Sequence, residues 1–385
     1  MTTPRVLFHV QHLLGIGHWR RALAIARAMR QEGLAVTMLS GGPPEEAGEL
    51  DGIAVEQLAP VRAADASFAT LVDGEGRPLD DALRARRRAH LLDAFARLRP
   101  AIVLIESFPF GRRAFAFELA PLIAAARAAS PRPAILASIR DVLVAKENPA
   151  RAAAIVETVR RDFDRVLVHG DPDLVQLEAS FPPAAEIADR LVYTGYVVAA
   201  AGGPDDGRTG AGEVVVSAGG GAVGAALLRA ALAARALSSV AAAPWRLLAG
   251  PHLPAADFAA LAARLPPGVA LERFRPDFPA MLFRCRLSIS QGGYNTVLDL
   301  LAAGTRAIVV PFAAAGETEQ AQRAALLAAR GAFRLLPDPE LDGSTLAAAI
   351  DQVLAAPPPP RLAIRRDGAA ETARTVAELA RNRGW

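Results

Sequence analysis

The sequence has little cysteine, few aromatic residues and almost no net charge. Its 385 residues include one cysteine, Cys285, and 5 % aromatic residues, and the formal net charge is +3. A single thiol excludes an internal disulfide and a metal site built from clustered cysteines. The small net charge, without basic stretches interleaved with aromatic residues, argues against a nucleic-acid partner.

The sequence also lacks a long hydrophobic run. Apolar residues make up 52 % of the chain, but much of that share is alanine, and no stretch of about 20 residues is uncharged and leucine-rich enough to span a bilayer. The first residues lead into an apolar run without a secretory signal pattern. We therefore expect a cytoplasmic protein, and peripheral contact with the inner face of the membrane stays open.

Three glycine-rich turns follow apolar runs that are typical of buried strands. These turns are Gly15–His18, Ser217–Gly221 and Gln291–Thr296. Glycine between a strand and a helix lets backbone N–H groups approach an anion, and the helix end adds partial positive charge. Each turn therefore suits a phosphate or diphosphate, although any tight turn between a strand and a helix can require glycine for structural reasons.

Apolar runs alternate with helical patterns along the whole chain, which predicts an α/β fold with a doubly wound parallel sheet in each half. The length suits two domains of roughly 150–200 residues, and the glycine turns indicate two Rossmann-like domains that face a central cleft. The predicted strands are Arg5–Val10, Val36–Ser40, Ala101–Glu106, Ala134–Ile139, Arg165–His169, Leu191–Thr194, Val214–Ser217, Trp245–Gly250, Val269–Arg273, Leu287–Ser290, Ala307–Val310 and Phe333–Leu336.

The domain boundaries follow from composition. Residues 198–213 are glycine-rich, polar and without periodicity, which predicts a linker. We expect a first domain over residues 1–197 and a second over residues 214–365. Residues 366–385 form a predicted terminal helix that packs back on the first domain.

Ligands of an open parallel sheet bind beyond the carboxyl ends of its strands. In the first half, His18 ends a glycine loop and opens a helix, where an imidazole can act as a general base or donate to a diphosphate. The alternative is that His18 is an ordinary residue at the helix N-terminus and makes only local hydrogen bonds. Glu106 and Asp141 end strands and can orient His18, accept a proton or bind a sugar. For Asp141, a structural ion pair with Arg140 is the alternative.

In the second half, carboxylates follow the glycine turns. Asp299 lies three residues after Thr296, and we place it in the first turn of the next helix. It can accept hydrogen bonds from both ribose hydroxyls there, or simply complement the helix end. Glu319 and Gln320 suit recognition of sugar hydroxyls, with helix capping as the alternative.

Four arginines, Arg84 and Arg86–Arg88, form a basic run in a helical segment. We interpret them as a solvated helix face in preference to an anionic membrane or acceptor surface.

Three motifs resemble those of GT-B glycosyltransferases of the family 28 type, a group that includes the peptidoglycan N-acetylglucosaminyltransferase. Gly15-Ile16-Gly17-His18, with the following Arg20–Ala24, is similar to the first glycine loop of the family. Ser217–Gly221 is similar to the second loop, which contacts the donor diphosphate. Gly292–Asp299 together with Glu319-Gln320 resembles the donor-binding signature. The resemblance covers nearly the whole chain.

The resemblance implies an inverting, metal-independent glycosyltransferase with no cofactor and a nucleotide-sugar donor, expected to be a UDP-sugar. It implies donor binding in the second domain and acceptor binding in the first. The implied donor site comprises Gly15, Gly17, Ser217, Gly219, Gly220, Gly221, Phe274, Gln291, Gly292, Gly293, Tyr294, Asn295, Thr296, Asp299, Glu319 and Gln320.

Individual roles follow from the same resemblance. The uracil would meet the backbone near Phe274. Asp299 would bind the ribose where the peptidoglycan enzymes usually carry glutamate, and Glu319-Gln320 would contact the sugar where they usually carry two glutamines. The expected catalytic residues are His18, Glu106 and Asp141, the acceptor-side candidates are Arg112, Arg140 and His169, and no metal ligands are expected.

The first loop leaves an alternative open. Gly15–Arg21 resembles even more closely the UDP-sugar hydrolase of the pseudaminic acid pathway, which shares the GT-B fold and transfers to water. A UDP-sugar hydrolase or epimerase with the same donor site is therefore the alternative to a transferase, and a non-catalytic nucleotide-sugar sensor is the third hypothesis. The sequence assigns neither an acceptor nor an oligomeric state.

Overall fold

The computed structural model describes residues 3–13, 17–44, 50, 52–64, 70–143, 148–198, 205–220, 224–312 and 319–384. The chain divides into two compact units. Unit 1 comprises Met1–Val198 and Arg365–Trp385, and unit 2 comprises Ala199–Ile364. Of the predicted linker, residues 199–204 lie outside the described residues.

Unit 1 is built on a sheet of seven parallel strands in the order β3-β2-β1-β6-β7-β8-β9, with a separate antiparallel hairpin, β4-β5. The strands are β1 Arg5–Val10, β2 Ala35–Ser40, β3 Ala54–Gln57, β4 Val61–Ala63, β5 Leu71–Asp73, β6 Ile102–Glu106, β7 Ala134–Arg140, β8 Arg165–His169 and β9 Leu191–Tyr193. The central strands are almost fully buried, as expected for a parallel sheet that is covered on both faces.

The α-helices of unit 1 are α1 Gly17–Gln31, α2 Asp81–Leu98, α3 Ala116–Ala128, α4 Pro149–Asp162 and, from the end of the chain, α11 Gly368–Asn382. Side chains cap two of them. Asp80 accepts a hydrogen bond from the backbone N–H of Leu83 at the start of α2, and Asn148 accepts from two backbone N–H groups at the start of α4. Such caps satisfy amide groups that have no partner inside the helix.

Helix α11 packs on the first domain, against α1. Its buried residues Ala373, Val376, Ala377 and Ala380 belong to the same apolar cluster as Ile25 of α1. The close approach at the start of α11 requires glycine, because a Cβ on Gly368 would lie 2.2 Å from the carbonyl oxygen of Gly195.

Unit 2 contains a sheet of six parallel strands in the order β12-β11-β10-β13-β14-β15. The strands are β10 Val214–Ser217, β11 Trp245–Leu248, β12 Val269–Glu272, β13 Leu287–Gln291, β14 Ala307–Val310 and β15 Arg334–Leu335. The helices are α5 Ala225–Leu237, α6 Ala255–Ala262, α7 Phe278–Leu282, α8 Tyr294–Ala303, α9 Glu319–Ala328 and α10 Gly343–Ala355. Within the described ranges, no helix is both long enough and apolar enough to cross a membrane.

The predicted α/β class with two parallel sheets is confirmed. Every predicted strand occurs, with its ends shifted by at most two residues. Strands β3, β4 and β5 are absent from the prediction, because they are short and contain no continuous apolar run.

The basic run on α2 is not a uniform solvated face, and the interpretation is wrong at Arg87. This side chain is fully buried and pairs with Glu118 of α3, with Nη2 2.6 Å from Oε1 and Nε 2.8 Å from Oε2. It also donates to Oε1 of Gln11 and to the carbonyl oxygens of Gly41 and Ala59. Arg87 lies four residues after Leu83 and four before Leu91, on the buried face of α2, and this spacing is the signal that separates it from its exposed neighbours.

The buried pair makes a stability prediction. Arg87→Met leaves the Glu118 carboxylate in the core with only the 3.3 Å contact to Nε2 of His9 among the described residues, so the free energy of unfolding should fall by about 3–5 kcal/mol. Arg86→Met removes a neighbouring exposed arginine and should change the free energy of unfolding by less than about 0.5 kcal/mol. Urea denaturation at pH 7 measures both.

A double variant, Arg87→Met with Glu118→Leu, removes both charges and should recover much of the loss. If Arg87→Met unfolds at the same urea concentration as the native protein, the pair does not stabilise unit 1.

Candidate functional site

The strand order of unit 1 reverses between β1 and β6, which run side by side. Ligands of open parallel sheets bind at such a point, beyond the carboxyl ends of the strands. Strand β1 leads toward the start of α1 at Gly17, and β6 ends at Glu106. Gly15 of the predicted first loop lies outside the described residues.

His18 and Glu106 meet at this reversal point. Nδ1 of His18, in the first turn of α1, lies 2.8 Å from Oε1 of Glu106. Arg21 lies one helical turn after His18 and donates from Nη2 to the same Oε1 at 2.6 Å. Glu106 is 1 % exposed, whereas the His18 side chain is 19 % exposed. We call these three residues the His18–Glu106–Arg21 cluster.

The charges of the cluster fix its protonation. Burial opposes ionisation of Glu106, but the neighbouring His18 and Arg21 outweigh it and hold the pKa of this carboxyl well below its usual range. Burial lowers the pKa of His18 to about 3; Glu106 opposes this shift, and the positive charges of Arg140 and Arg112 reinforce it. At neutral pH, Glu106 is therefore ionised and His18 is neutral.

This protonation determines the tautomer of His18. Since an ionised carboxylate only accepts hydrogen bonds, the 2.8 Å contact requires the ring proton on Nδ1. The lone pair then lies on Nε2, to which no described residue makes a hydrogen bond. A neutral imidazole oriented in this way can accept a proton from a hydroxyl group.

Two of the acceptor-side candidates lie near the cluster. Arg112 donates from Nε to the carbonyl oxygen of Gln11 at 2.7 Å, and its charge acts on both His18 and Glu106. Arg140, at the end of β7, acts electrostatically on His18. Gly17 lies beside it, since an added Cβ would be 3.9 Å from Nη2 of Arg140.

Asp141 and His169 are fully buried, which favours structural roles for both. Tyr196 donates a hydrogen bond to Oδ2 of Asp141 at 3.2 Å, and His18 makes no hydrogen bond to Asp141. The ring nitrogens of His169 lie 2.7 Å from Oγ of Ser138 and 2.9 Å from Oγ1 of Thr194.

The strand order of unit 2 reverses between β10 and β13, and Ser217 is the register partner of Ser290. The second and third glycine turns therefore leave the sheet side by side. Gly219 has a φ of +72°, a conformation that favours glycine, and a Cβ there would lie 3.4 Å from Oε1 of Gln291. No described residue lies within 4 Å of a Cβ added at Gly220, whereas Gly221 lies outside the described residues.

The third turn ends at the N-terminus of α8. Gly293 has an extended conformation and is the cap residue, so the helix begins at Tyr294. Packing is tight at Gly292, because a Cβ there would lie 3.3 Å from Pro311. Backbone N–H groups at such a helix end suit a phosphate group.

The predicted position of Asp299 is wrong in detail. Because α8 begins at Tyr294, its first turn contains no acidic residue, and Asp299 lies in the second turn. This removes the alternative of a carboxylate that complements the helix end. Thr296 and Asn295 lie three and four positions before Asp299, a spacing that places each of them beside Asp299 on the helix surface, and all three are at least partly exposed.

Glu319 and Gln320 begin helix α9. Arg323, which is 1 % exposed, donates to Oε1 of Glu319 at 2.8 Å, and its guanidinium lies 5.1 Å from the centre of the Tyr294 ring. Oε1 of Gln320 accepts from the backbone N–H of Phe312 at 3.3 Å. Phe274, after β12, is 54 % exposed.

The sequence contains two Asp-x-Asp pairs, a pattern that can hold a metal on a sugar diphosphate. The carboxylates of Asp162, Asp164 and Asp171 have structural partners. Asp162 pairs with Arg127 and Arg161, and Asp164 accepts from the backbone N–H of Ile135. Asp171 accepts from the backbone N–H groups of Arg365 and Asp173.

One further group of carboxylates has a spacing that could hold a metal ion. Among the described residues, Asp205, Asp206 and Asp277 are the only such group, with ligand atoms within 4.8 Å of one another. Arg284 and Arg275 form ion pairs with Asp205 and Asp277.

Sequence reasoning missed Arg21 and Arg323. Both lie one helical turn from a predicted site residue, at i+3 from His18 and i+4 from Glu319. This spacing is the signal that could have identified them.

The buried histidine His169 makes a pH prediction. Burial lowers its pKa to about 3 from 6.5, so below pH 6.5 the unfolded chain binds a proton that the folded chain does not. The free energy of unfolding should therefore fall with decreasing pH between about 6.5 and 3, by about 1.4 kcal/mol per pH unit for each such histidine.

His169→Gln removes the proton that His169 binds only in the unfolded chain. The unfolding free energy of this variant should therefore depend less steeply on pH between 6.5 and 4.5, which lies above the range where carboxyl groups titrate. Urea denaturation at several pH values measures the slope, and His90→Gln, at a half-exposed histidine, is the control. An unchanged slope in His169→Gln would show that His169 is protonated in the folded protein.

Known proteins match part of this chain in sequence and its full length in fold. The model of the glycosyltransferase family 28 C-terminal domain matches residues 256–379. The UDP-N-acetylglucosamine–N-acetylmuramyl-(pentapeptide) pyrophosphoryl-undecaprenol N-acetylglucosamine transferase of Rhodospirillum centenum is 37 % identical over 89 residues, which are 23 % of this chain and 24 % of that protein. The enzyme of the same name from Thermodesulfovibrio yellowstonii is 39 % identical over 71 residues, 18 % of this chain and 19 % of that protein. The matched segments thus span a quarter or less of these relatives.

Solved structures match over the full length. The calicheamicin glycosyltransferase CalG4 superposes with a TM-score of 0.62 and 17 % identity, covering 100 % of this chain and 96 % of that one. MurG of Acinetobacter baumannii superposes with a TM-score of 0.58 and 18 % identity, covering 98 % and 99 %. Residues 256–379 of this chain therefore match the glycosyltransferase family 28 C-terminal domain, and the chain as a whole has the GT-B fold that its motifs resemble.

Proposed function

We propose that this protein is an inverting glycosyltransferase that moves a sugar from a UDP-sugar to an acceptor hydroxyl without a metal ion. The observation that carries the proposal is the contact between Nδ1 of His18 and the buried carboxylate of Glu106, which presents Nε2 as a base. The family 28 match over residues 256–379 supports a donor site in unit 2. The names of the matched bacterial relatives support UDP-N-acetylglucosamine as the first donor to test.

The donor would bind at the reversal point of the unit 2 sheet. The turns at Ser217–Gly220 and Gln291–Gly293 would approach the diphosphate with backbone N–H groups, and the N-terminus of α8 would add partial positive charge. Asp299, on the same helix, would accept hydrogen bonds from the ribose. Glu319, held by Arg323, would accept hydrogen bonds from sugar hydroxyls.

The acceptor would bind to unit 1 with its hydroxyl at Nε2 of His18. As the acceptor oxygen forms its bond to the anomeric carbon, its proton passes to Nε2, and the bond from that carbon to the diphosphate oxygen breaks. The ionised Glu106 stabilises the imidazolium that results. UDP leaves with the electrons of the broken bond, and the turn amides and helix end stabilise its charge in place of a metal.

Glycine at position 220 offers a test of the donor site. The native protein at a UDP concentration of 100 times the dissociation constant should gain about 2.7 kcal/mol of stability, with or without magnesium. Gly220→Val adds a side chain where the fold has open space but where the diphosphate would approach, so it should melt like the native protein and gain less from UDP. Thermal-shift titration measures this.

Gly74→Val is the matched control, since its Cβ has only ordinary contacts, and it should respond to UDP like the native protein. If no uridine nucleotide stabilises the native protein, or if Gly220→Val is stabilised equally, the donor site is not where we propose it.

His18 offers a test of the chemistry. His18→Gln should lower kcat by about 10²–10⁴-fold, the usual contribution of a general base, while stabilisation by UDP is retained because the donor site is in unit 2. His90→Gln is the control. The assay measures release of UDP and the fate of the sugar, with and without EDTA, over a panel of acceptors.

Each result has a distinct meaning. Transfer that EDTA does not affect and that His18→Gln abolishes supports the proposal. Release of free sugar without any acceptor would instead identify a UDP-sugar hydrolase. Native activity in His18→Gln would contradict the role of His18.

A further inference from the structure

Arg21 is a buried arginine that contacts both members of the His18–Glu106 pair. Its side chain is 3 % exposed, and Nη2 lies 2.6 Å from Oε1 of Glu106 and 3.3 Å from Nδ1 of His18. Helix α1 brings Arg21 beneath His18, since the two residues are three positions apart and share a helix face. One carboxylate oxygen thus accepts from both side chains.

This arrangement has only one consistent assignment of protons. Arginine has donors and no acceptor, and it stays charged in proteins, so the 2.6 Å contact keeps Oε1 of Glu106 unprotonated. The imidazole must then supply the proton in the 2.8 Å contact with the same oxygen. The guanidinium, only 3.3 Å from Nδ1, repels a second positive charge on the ring.

We propose that Arg21 is a positioning residue that holds His18 as the neutral Nδ1–H tautomer and so keeps Nε2 ready to accept a proton. This inference rests on the proposed role of His18 as the base. Arg21 touches neither reactant in this account and acts only through Glu106 and His18. Without it, the Glu106 carboxylate would attract a proton to the pair, and the imidazole would become charged at a higher pH.

Other charged and titratable groups surround the pair and remain in the variants. Arg140 at the end of β7 and Arg112 after β6 act on His18. His169 at the end of β8 interacts electrostatically with Arg21 and Glu106, and its hydrogen bonds to Ser138 and Thr194 are independent of Arg21. Because these groups are common to all variants, a difference between variants reports on Arg21.

The native protein provides the first test. A long-range ¹H–¹⁵N correlation spectrum of protein labelled with ¹⁵N-histidine distinguishes the two neutral tautomers and the imidazolium, and the spectrum of His18→Gln identifies the His18 signals among the six histidines. We expect the Nδ1–H tautomer at pH 7. A native His18 in the Nε2–H form, or doubly protonated at pH 7, would overturn the proposal without any activity measurement.

The variants provide the second test. Arg21→Gln removes the charge but can still donate a hydrogen bond to Glu106, and Arg21→Lys keeps the charge. The pH at which His18 becomes doubly protonated should rise by about one unit or more in Arg21→Gln, the usual effect of one charge at this distance, and less in Arg21→Lys. The control is Arg30→Gln, at an exposed arginine at the other end of α1. It should not change the pH at which His18 becomes doubly protonated.

Kinetics separate positioning from a purely structural role. In Arg21→Gln, the fall of kcat on acidification should begin about one pH unit or more higher than in the native protein, in step with the protonation of His18. KM for the donor should stay nearly unchanged. A variant that melts at a lower temperature but keeps the native tautomer, protonation pH and pH–rate profile would show that Arg21 is only structural. A native protein that turns over no nucleotide sugar would contradict the proposed function, whereas the NMR result would still decide the role of Arg21.

Discussion

A buried negative charge on Glu106 is the constraint on which the unit 1 site depends. A carboxylate with 1 % exposure cannot remain ionised in a protein interior without partners. Helix α1 supplies His18 and Arg21, and the adjacency of β1 and β6 brings that helix to the end of β6. The parallel topology, the buried strands and the first turn of α1 are thus all needed to put one neutral imidazole at the edge of the sheet.

The two units use the same topology for different chemistry. Each sheet reverses its strand order once, and the turns at that point carry the predicted site residues. In unit 1 the start of α1 and the end of β6 present ionisable side chains, His18 and Arg21 from the helix and Glu106 from the strand. In unit 2 the turns at Gly219 and Gly292 present backbone, because the positive φ of the first favours glycine and a Cβ on the second would lie only 3.3 Å from Pro311. A base and a turn that binds an anion are the two features that the proposed transfer of a sugar from a diphosphate requires.

Local patterns predicted much of this arrangement. The alternation of strands and helices, and the carboxyl-end rule for ligands, were enough to bring His18 and Glu106 into one candidate list, 88 positions apart in sequence. The helical spacing of Arg87 with Leu83 and Leu91 marks it as part of the buried face of α2, but its partners Glu118 and Gln11 lie elsewhere in the chain and do not follow from local patterns. The position of Asp299 within α8 depended on where Gly293 caps the helix, and a propensity argument does not fix that residue.

The stereochemistry of the reaction tests the central claim most directly, because a single base that activates the incoming oxygen requires attack on the face opposite the leaving diphosphate. The measurement is the ¹H NMR anomeric coupling of the first product formed from UDP-N-acetylglucosamine, or from whichever UDP-sugar stabilises the protein, with an accepted hydroxyl compound or with water. The account predicts that an α-linked donor gives a β-linked product. A product with the α configuration of the donor would contradict it, because retention cannot arise from direct displacement assisted by His18.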